Sequence, residues 1–197
     1  MREIRDLAWT PRWGVLRVIR RQSVAEHSFY VAVYSALICD AIEISPTLRN
    51  EVMDWAIFHD AAEQFMTDIP GPVKREIADP HEVQKFEDKG LERRFGASAR
   101  LNSKTRSVVR AIVKVADYLD EVCYLIGESR LGNKEVEEQI PQSRLRMQRY
   151  LDDLVAQVSV ATRREALQAV VDNIISAEMG RCSLTPDADC VREGQSR

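Results

Sequence analysis

The spacing of apolar residues predicts α-helices along most of the chain. A long apolar run follows Ser23-Val24-Ala25-Glu26, the pattern of a capping box at a helix N-terminus, and extends to Ile44. Ser45-Pro46 predicts another helix start, since proline is favoured at the first helical position. The positions behind it that recur at helical spacing are Leu48, Val52, Trp55, Ala56 and His59. This pattern places His59-Asp60 on a helix, with Glu63 one turn further on.

Further helices are predicted in the second part of the chain. Asp79-Pro80 marks a helix start, and we expect Val83, Phe86 and Phe95 to face inward. The remaining predicted elements are a long helix over residues 103–126, a break at Leu131-Gly132-Asn133, a helix over residues 140–158 and a helix from about Thr162 to Gly180.

The pattern as a whole predicts an all-α fold. It contains no convincing strands, no repeats and no glycine-rich phosphate-binding motif. A chain of 197 residues is long enough for one domain with a substantial core. We expect that domain to cover residues 1–180, followed by a polar, mobile tail over residues 181–197 that has little to bury.

Composition narrows the class of protein. The formal net charge of −3 provides no electrostatic reason to expect a nucleic-acid polymer or a membrane surface as partner. No apolar run approaches the roughly 18 residues needed to span a bilayer, and the first residues lack the apolar core of a secretion signal. None of the four cysteines forms a CxxC pair, and Cys39 and Cys123 fall in apolar stretches typical of core thiols. We expect a cytoplasmic protein.

Two histidines and two aspartates on three predicted helices are candidate metal ligands. They are His27, His59, Asp60 and Asp117. Imidazole nitrogens and carboxylate oxygens together can hold one divalent ion. Each residue also has a simpler interpretation. A lone histidine on an apolar face is more often a core residue, and a buried aspartate can pair with an arginine or lysine.

Glu63 is a candidate for handling protons. It lies four residues after His59 and so would share its helix face. A carboxylate beside a metal ion can take a proton from water, because the ion lowers the pKa of that water from 15.7 to about 7. The alternative is a solvated surface glutamate.

A basic and aromatic segment precedes the first long helix. Arg12-Trp13 opens it, and Arg17, Arg20 and Arg21 follow. Arginine guanidinium groups fit phosphate oxygens, and a tryptophan ring can stack on a base. The alternative is a solvated arginine face with one buried tryptophan.

Five segments in series resemble the HD-domain phosphohydrolases, most of all the bacterial 5′-deoxynucleotidase branch and the related phage dATP triphosphohydrolases. They are Arg12-Trp13, Val24-Ala25-Glu26-His27-Ser28, Phe58-His59-Asp60-Ala61-Ala62-Glu63, Thr67-Asp68-Ile69-Pro70-Gly71-Pro72-Val73-Lys74 and Val113-Lys114-Val115-Ala116-Asp117. The resemblance covers roughly residues 8–130. Thr67 departs from it, because we expect glycine there in the deoxynucleotidases, and this puts the local loop shape in doubt.

The resemblance implies an HD-domain helical bundle around a single metal site. The implied ligands of one divalent ion (Zn, Co, Mn or Mg) are His27, His59, Asp60 and Asp117. The implied catalytic residues are Glu63 and Asp68. The implied substrate-binding residues are Arg12, Trp13, Val15, Asp68 and Lys114. Arg12 and Asp68 would lie at the phosphate and sugar, Trp13 at the nucleoside, and Lys114 would be a weaker phosphate ligand.

These expectations lead to a metal-dependent phosphohydrolase that removes the 5′-phosphate from deoxynucleoside monophosphates. The first alternative is a dNTP triphosphohydrolase of the dATP type, because Arg20 and Arg21 offer extra cations for longer phosphates. A second is a non-catalytic nucleotide-binding sensor on the same scaffold, and a third is a helical interaction protein with a structural metal. We expect a deoxynucleotide substrate, neither a nucleic-acid polymer nor a membrane as partner, and a homo-oligomer.

Overall fold

The computed structural model describes residues 3–66, 80–96, 101–102, 104–158 and 161–180, and these ranges are helical almost throughout. The helices are α1 (Glu3–Asp6), α2 (Val24–Ala41), α3 (Pro46–Phe58), α4 (Glu63–Met66), α5 (Pro80–Phe95), α6 (Arg106–Arg130), a 3₁₀ turn (Lys134–Val136), α7 (Gln139–Val158) and α8 (Ala161–Gly180). The described ranges contain no β-strand, which confirms the predicted all-α fold. None of these helices is long and apolar enough to cross a membrane.

The predicted starts of α2 and α3 are confirmed by their capping bonds. The Ser23 hydroxyl accepts a hydrogen bond from the backbone N–H of Glu26 at 3.1 Å. The Ser45 hydroxyl accepts one from Leu48 at 3.3 Å, and Pro46 occupies the first helical position. Each cap satisfies an N–H group that the helix itself leaves without a partner. The cap of α2 matters for the site because it sets where the first turn of that helix begins.

Helix α6 lies at the centre of the bundle and packs against α2, α3, α7 and α8. Its fully buried apolar residues include Val109, Ile112, Val115, Ala116, Leu119, Val122 and Leu125. Cys39 of α2 and Cys123 of α6 are buried free thiols, as predicted. Because α6 is covered on several sides, a polar group on one of its buried faces must find a partner within the bundle.

A short antiparallel bridge between Pro11 and Ser23 attaches the segment before α2 to that helix. The backbone N–H of Val24 donates to the carbonyl of Thr10, and that of Arg12 donates to the carbonyl of Gln22, both at 3.0 Å. These bonds fix the backbone of Arg12 next to the first turn of α2.

The structure corrects two sequence predictions. Helix α3 ends at Phe58 and residues 59–62 form a turn, so His59-Asp60 follows the helix instead of lying on it, and Glu63 begins α4. Phe86 is 59% exposed and does not face inward as predicted. The segment of residues 67–74, which includes Asp68, and the tail of residues 181–197 lie outside the described ranges, so the predictions made for them stay predictions.

Several apolar side chains of α2 are exposed along one stripe. Phe29, Val33 and Leu37 follow one another at intervals of four residues, and each is exposed. Apolar groups at this spacing lie on one helix face. An exposed apolar stripe is compatible with the predicted homo-oligomer, which stays a prediction.

Candidate metal centre

Three side chains from two elements converge at the end of α3. His27 lies in the first turn of α2, while His59 and Asp60 lie in the turn after α3. The Nε2 atoms of the two histidines are 3.2 Å apart, and each lies 3.4 Å from the Asp60 Oδ2 atom. The three residues form a group whose donor atoms all lie within 4.8 Å of one another. Sequence reasoning had named all three.

The other ring nitrogen of each histidine has a hydrogen-bond acceptor. His27 Nδ1 lies 2.6 Å from Asp120 Oδ2, and His59 Nδ1 lies 2.8 Å from the backbone carbonyl of Ala56. A carboxylate and a carbonyl only accept hydrogen bonds, so both Nδ1 atoms must carry the proton. The Nε2 atoms face each other and Asp60, and in the neutral form of each ring they carry the free lone pair.

Asp117 adjoins this group from α6. Its Oδ1 atom lies 3.4 Å from His27 Nε2, and its Oδ2 atom accepts a hydrogen bond from Lys114 Nζ at 2.7 Å. Arg12 lies on the same side, with its guanidinium 3.2 Å from Asp60 Oδ2 and 3.9 Å from Asp117 Oδ1. The two aspartates therefore each face a histidine on one side and a cation on the other.

The charges of the cluster favour a cation at its centre. Burial and the charge of Arg12 lower the pKa of His27, but hydrogen bonds to aspartates outweigh both and raise that pKa to about 10. These aspartates are Asp60, Asp117 and Asp120. Burial lowers the pKa of His59, which keeps its ring neutral. In the absence of a metal ion, a proton on His27 therefore supplies the positive charge that the surrounding carboxylates favour.

Asp60 and Asp117 are ionised, which is the form that binds metals. Burial raises the pKa of Asp60, but the neighbouring histidines and Arg12 outweigh it and hold the pKa well below its usual range. Burial also raises the pKa of Asp117, but Lys114 and His27 outweigh it and hold that pKa well below its usual range. Two imidazole lone pairs and two carboxylates facing one space form a donor set that fits a divalent ion.

Glu63 is buried, with only 8% of its surface exposed, which excludes the alternative of a solvated surface residue. Its backbone N–H donates to the carbonyl of Asp60 at 3.0 Å and closes the turn after α3. Burial lowers the pKa of Arg12, but nearby carboxylates that include Asp60 and Glu63 outweigh it and raise that pKa. Glu63 therefore lies within electrostatic reach of the Arg12 guanidinium.

Trp13 is held in place by the protein in an uncommon backbone conformation. Its φ of 66° lies in the left-handed region, which costs a bulky residue about 1–3 kcal/mol. The indole stacks on Tyr124 with ring centroids 4.9 Å apart, and its Nε1–H donates to Gln22 Oε1 at 3.1 Å. Val15, two residues further on, is 70% exposed. The structure thus places Arg12 inside the cluster, Trp13 at its edge and Val15 on the surface.

The basic segment after Trp13 is held against α6 by hydrogen bonds. The buried Glu128 carboxylate accepts hydrogen bonds from the backbone N–H groups of Ile19 at 2.6 Å and Arg20 at 2.8 Å. The Arg20 guanidinium pairs with Glu26, and the exposed Arg17 pairs with Glu135 at 3.6 Å. These arginines therefore have protein partners of their own.

Beside the cluster, sequence reasoning missed the buried polar residues Gln22 and Asp120. Gln22 Nε2 donates to Asp120 Oδ2 at 2.8 Å, the same oxygen that accepts from His27. A signal was present for Asp120, because a second aspartate three residues after Asp117 in an apolar helix needs a buried partner. Gln22 carried no comparable signal.

A cavity of about 450 Å³ adjoins these two residues and is lined by residues of α2, α6 and α8. Gln22 and Asp120 line it together with Tyr34 and Cys123. Of the described residues predicted to hold the metal or the nucleotide, Arg20 lines this cavity, whereas the candidate metal ligands and Arg12, Trp13, Val15 and Lys114 do not. Gln22 and Asp120 therefore line this cavity and are also linked to His27 by hydrogen bonds.

The chain is similar in sequence to known enzymes. A 5′-deoxynucleotidase of Shewanella oneidensis is 31% identical over 140 residues, covering 63% of this chain and 71% of that protein. A dATP triphosphohydrolase of Salmonella phage PMBT28 is 26% identical over 144 residues, covering 68% of this chain and 71% of that protein. The chain is thus similar to enzymes of both kinds that the resemblance pointed to.

A solved structure shares the fold. The HD phosphohydrolase of cyanophage S-2L, bound to dA and one catalytic Zn²⁺ ion, superposes with a TM-score of 0.69. The alignment covers 90% of this chain and 96% of the phage protein, at 18% identity. The fold is therefore the helical bundle of the HD-domain phosphohydrolases, as predicted.

The family model for 5′-deoxynucleotidase YfbR-like proteins matches residues 1–160. This match includes α2, α3 and α6, which carry or directly precede the converging histidines and aspartates. It confirms the resemblance that the five sequence segments indicated. The chain belongs to the YfbR-like 5′-deoxynucleotidase family.

Proposed function

We propose that this protein is a metal-dependent phosphohydrolase that removes the 5′-phosphate from deoxynucleoside monophosphates. The observation that carries the proposal is the convergence of His27, His59 and Asp60 beside the guanidinium of Arg12. A metal site next to a partly buried arginine fits a phosphate ester, because a bound metal ion and a guanidinium can both hold phosphate oxygens. The similarity to a bacterial 5′-deoxynucleotidase supports the same substrate class.

One divalent ion would be held by His27, His59 and Asp60, with Asp117 as the fourth ligand. Nitrogen donors suit Zn²⁺, Co²⁺ or Mn²⁺ better than Mg²⁺, which prefers oxygen. When bound, such an ion supplies positive charge that stabilises the phosphate oxygens and makes water easier to deprotonate.

The remaining residues would orient the substrate and move the proton. Arg12 would bind the phosphate, where its fork of N–H groups stabilises charge that redistributes in the transition state. Lys114 is a weaker candidate, since its ammonium already contacts Asp117 at 2.7 Å. Glu63 would take the proton from the attacking water, and the leaving 5′-oxygen must be protonated in turn.

The alternative reaction releases triphosphate from a dNTP. The similarity to a phage dATP triphosphohydrolase supports this alternative. It needs further cations for the β- and γ-phosphates. Arg20, one of the cations that the sequence offered for this purpose, is paired with Glu26. That pairing favours the monophosphate.

A product analysis tests the proposal. The purified protein is incubated with each dNMP, each dNTP and matched ribonucleotides in the presence of Mn²⁺, Co²⁺, Zn²⁺ or Mg²⁺. We expect inorganic phosphate and deoxynucleosides from the monophosphates. Release of triphosphate from a dNTP would assign the alternative reaction, and nucleotide binding without either product would indicate the non-catalytic sensor.

Replacement of Trp13 tests the nucleoside side of the site. We expect Trp13→Ala to raise KM more than it lowers kcat, because loss of base stacking costs about 1–3 kcal/mol. Steady-state kinetics with a dNMP measure both constants. Trp9→Ala is the matched control, since Trp9 is nearby in sequence and 86% exposed. Equal effects of the two replacements would move the nucleoside site away from Trp13.

A further inference from the structure

A chain of buried hydrogen bonds connects the metal centre with Trp13. Asp120 Oδ2 accepts from His27 at 2.6 Å and from Gln22 Nε2 at 2.8 Å. Gln22 Oε1 in turn accepts from Trp13 Nε1 at 3.1 Å. The relative exposure of Asp120 is 3%, that of Gln22 is 2% and that of His27 is 0%, so little water competes for these bonds.

The chemistry of the partners leaves one arrangement of this chain. The carboxylate only accepts and the indole only donates, so the Gln22 amide must turn its NH₂ group to Asp120 and its oxygen to Trp13. For the same reason His27 must carry its proton on Nδ1. One carboxylate oxygen therefore sets which nitrogen of His27 faces the metal, and through Gln22 it also sets the position of Trp13.

We infer that Asp120 and Gln22 are positioning residues, Asp120 for the metal ligand His27 and Gln22 for the substrate residue Trp13. The inference rests on the proposed metal site. A carboxylate that accepts from a ligating histidine fixes the ring and makes the ring nitrogen a better donor, and removal of such partners typically costs about 10–100-fold in metal affinity. Neither residue needs to touch the substrate.

Metal affinity without substrate tests the role of Asp120. Apo protein is titrated with Zn²⁺ against a competing chelator, and with Co²⁺ by its visible absorption. We expect Asp120→Ala to weaken the affinity by about 10–100-fold. We expect Asp120→Asn to lose less affinity than Asp120→Ala, because an amide oxygen can still accept both hydrogen bonds although it lacks the negative charge. Wild-type affinity in Asp120→Ala, or an equal loss in both variants, would overturn the inference for Asp120.

The roles of the two residues predict different kinetic effects. Gln22→Met removes the amide but leaves the bond between His27 and Asp120, so we expect a higher KM for the dNMP with kcat retained at saturating metal. Asp120→Ala should instead show a turnover that recovers as the metal concentration rises. A kcat defect in Gln22→Met at saturating metal and substrate, with KM unchanged, would overturn its assignment to Trp13.

Spectra of the wild-type protein test the geometry even if a variant does not fold. Long-range ¹H–¹⁵N spectra of the Zn²⁺-loaded protein, labelled at histidine, should show His27 with its proton on Nδ1 and the metal on Nε2. The opposite assignment would overturn the inference. If the wild type binds metal with this geometry but hydrolyses no nucleotide, the proposed function fails while the positioning role stands. If it hydrolyses nucleotides but Asp120→Ala binds metal normally, only the positioning role fails.

Discussion

Asp60→Asn should lose both the metal ion and the activity. The replacement keeps the shape of the side chain but removes the charge, and the amide is a poorer ligand than the carboxylate whose Oδ2 lies 3.4 Å from both histidines. Removal of a residue that only orients a ligand lowers metal affinity by about 10–100-fold. Removal of a ligand itself should therefore lower metal affinity by more than about 100-fold. Elemental analysis after gel filtration measures the metal content, chelator competition measures the metal affinity, and turnover of a dNMP measures the activity.

The control is Asp153→Asn, because Asp153 is an exposed aspartate of α7. It should keep the wild-type metal content and turnover. Asp117→Asn in the same series tests the fourth ligand, since Asp117 adjoins the group through His27 at 3.4 Å. Full metal occupancy together with normal turnover in Asp60→Asn would remove Asp60 from the metal site.

Glu63→Gln should separate chemistry from binding. The amide keeps the size of the buried side chain but cannot take a proton, and general acid–base groups typically contribute about 10²–10⁴-fold to the rate. We expect kcat for a dNMP to fall by about that factor, while metal content and nucleotide affinity stay near the wild type. Single-turnover kinetics, elemental analysis and equilibrium nucleotide binding measure the three quantities.

Glu138→Gln is the matched control, because Glu138 is exposed and lies in the segment before α7. It should have wild-type kinetics. If Glu63→Gln retained near-normal turnover with its metal bound, Glu63 would have a structural role and another group would have to accept the proton. If it lost the metal as well, its contribution would belong to the metal centre itself.

The helical fold was predictable because it depends on local properties. The period of apolar residues marks which face of a helix is buried, and Ser23 and Ser45 mark where two helices begin. The end of α3 was not predictable in the same way. Residues 58–63 contain neither glycine nor proline, so nothing local shows that the helix stops at Phe58. The turn that follows depends on packing in the bundle.

The candidate metal ligands were predictable from residue types, but their surroundings were not. His27, His59 and Asp60 were recognisable because a charged or titratable group in an apolar helical pattern needs a compensating partner. The choice between a metal and an ion pair could not be made along the chain. In the structure Arg12 pairs with Asp60 at 3.2 Å while the histidines also converge on it, so the cation lies beside the candidate metal site instead of replacing it.

The sequence by itself determined the helical class, the starts of α2 and α3 and the residue types of a candidate metal centre, because these follow from local periodicity, capping and chemistry. Only the tertiary structure decided that Glu63 is buried, that Arg20 is paired with Glu26, and that Gln22 meets Asp120 across 98 residues of chain. Such contacts depend on how helices pack against one another. Packing is a property of the whole bundle, and no local pattern encodes which distant side chains it brings together.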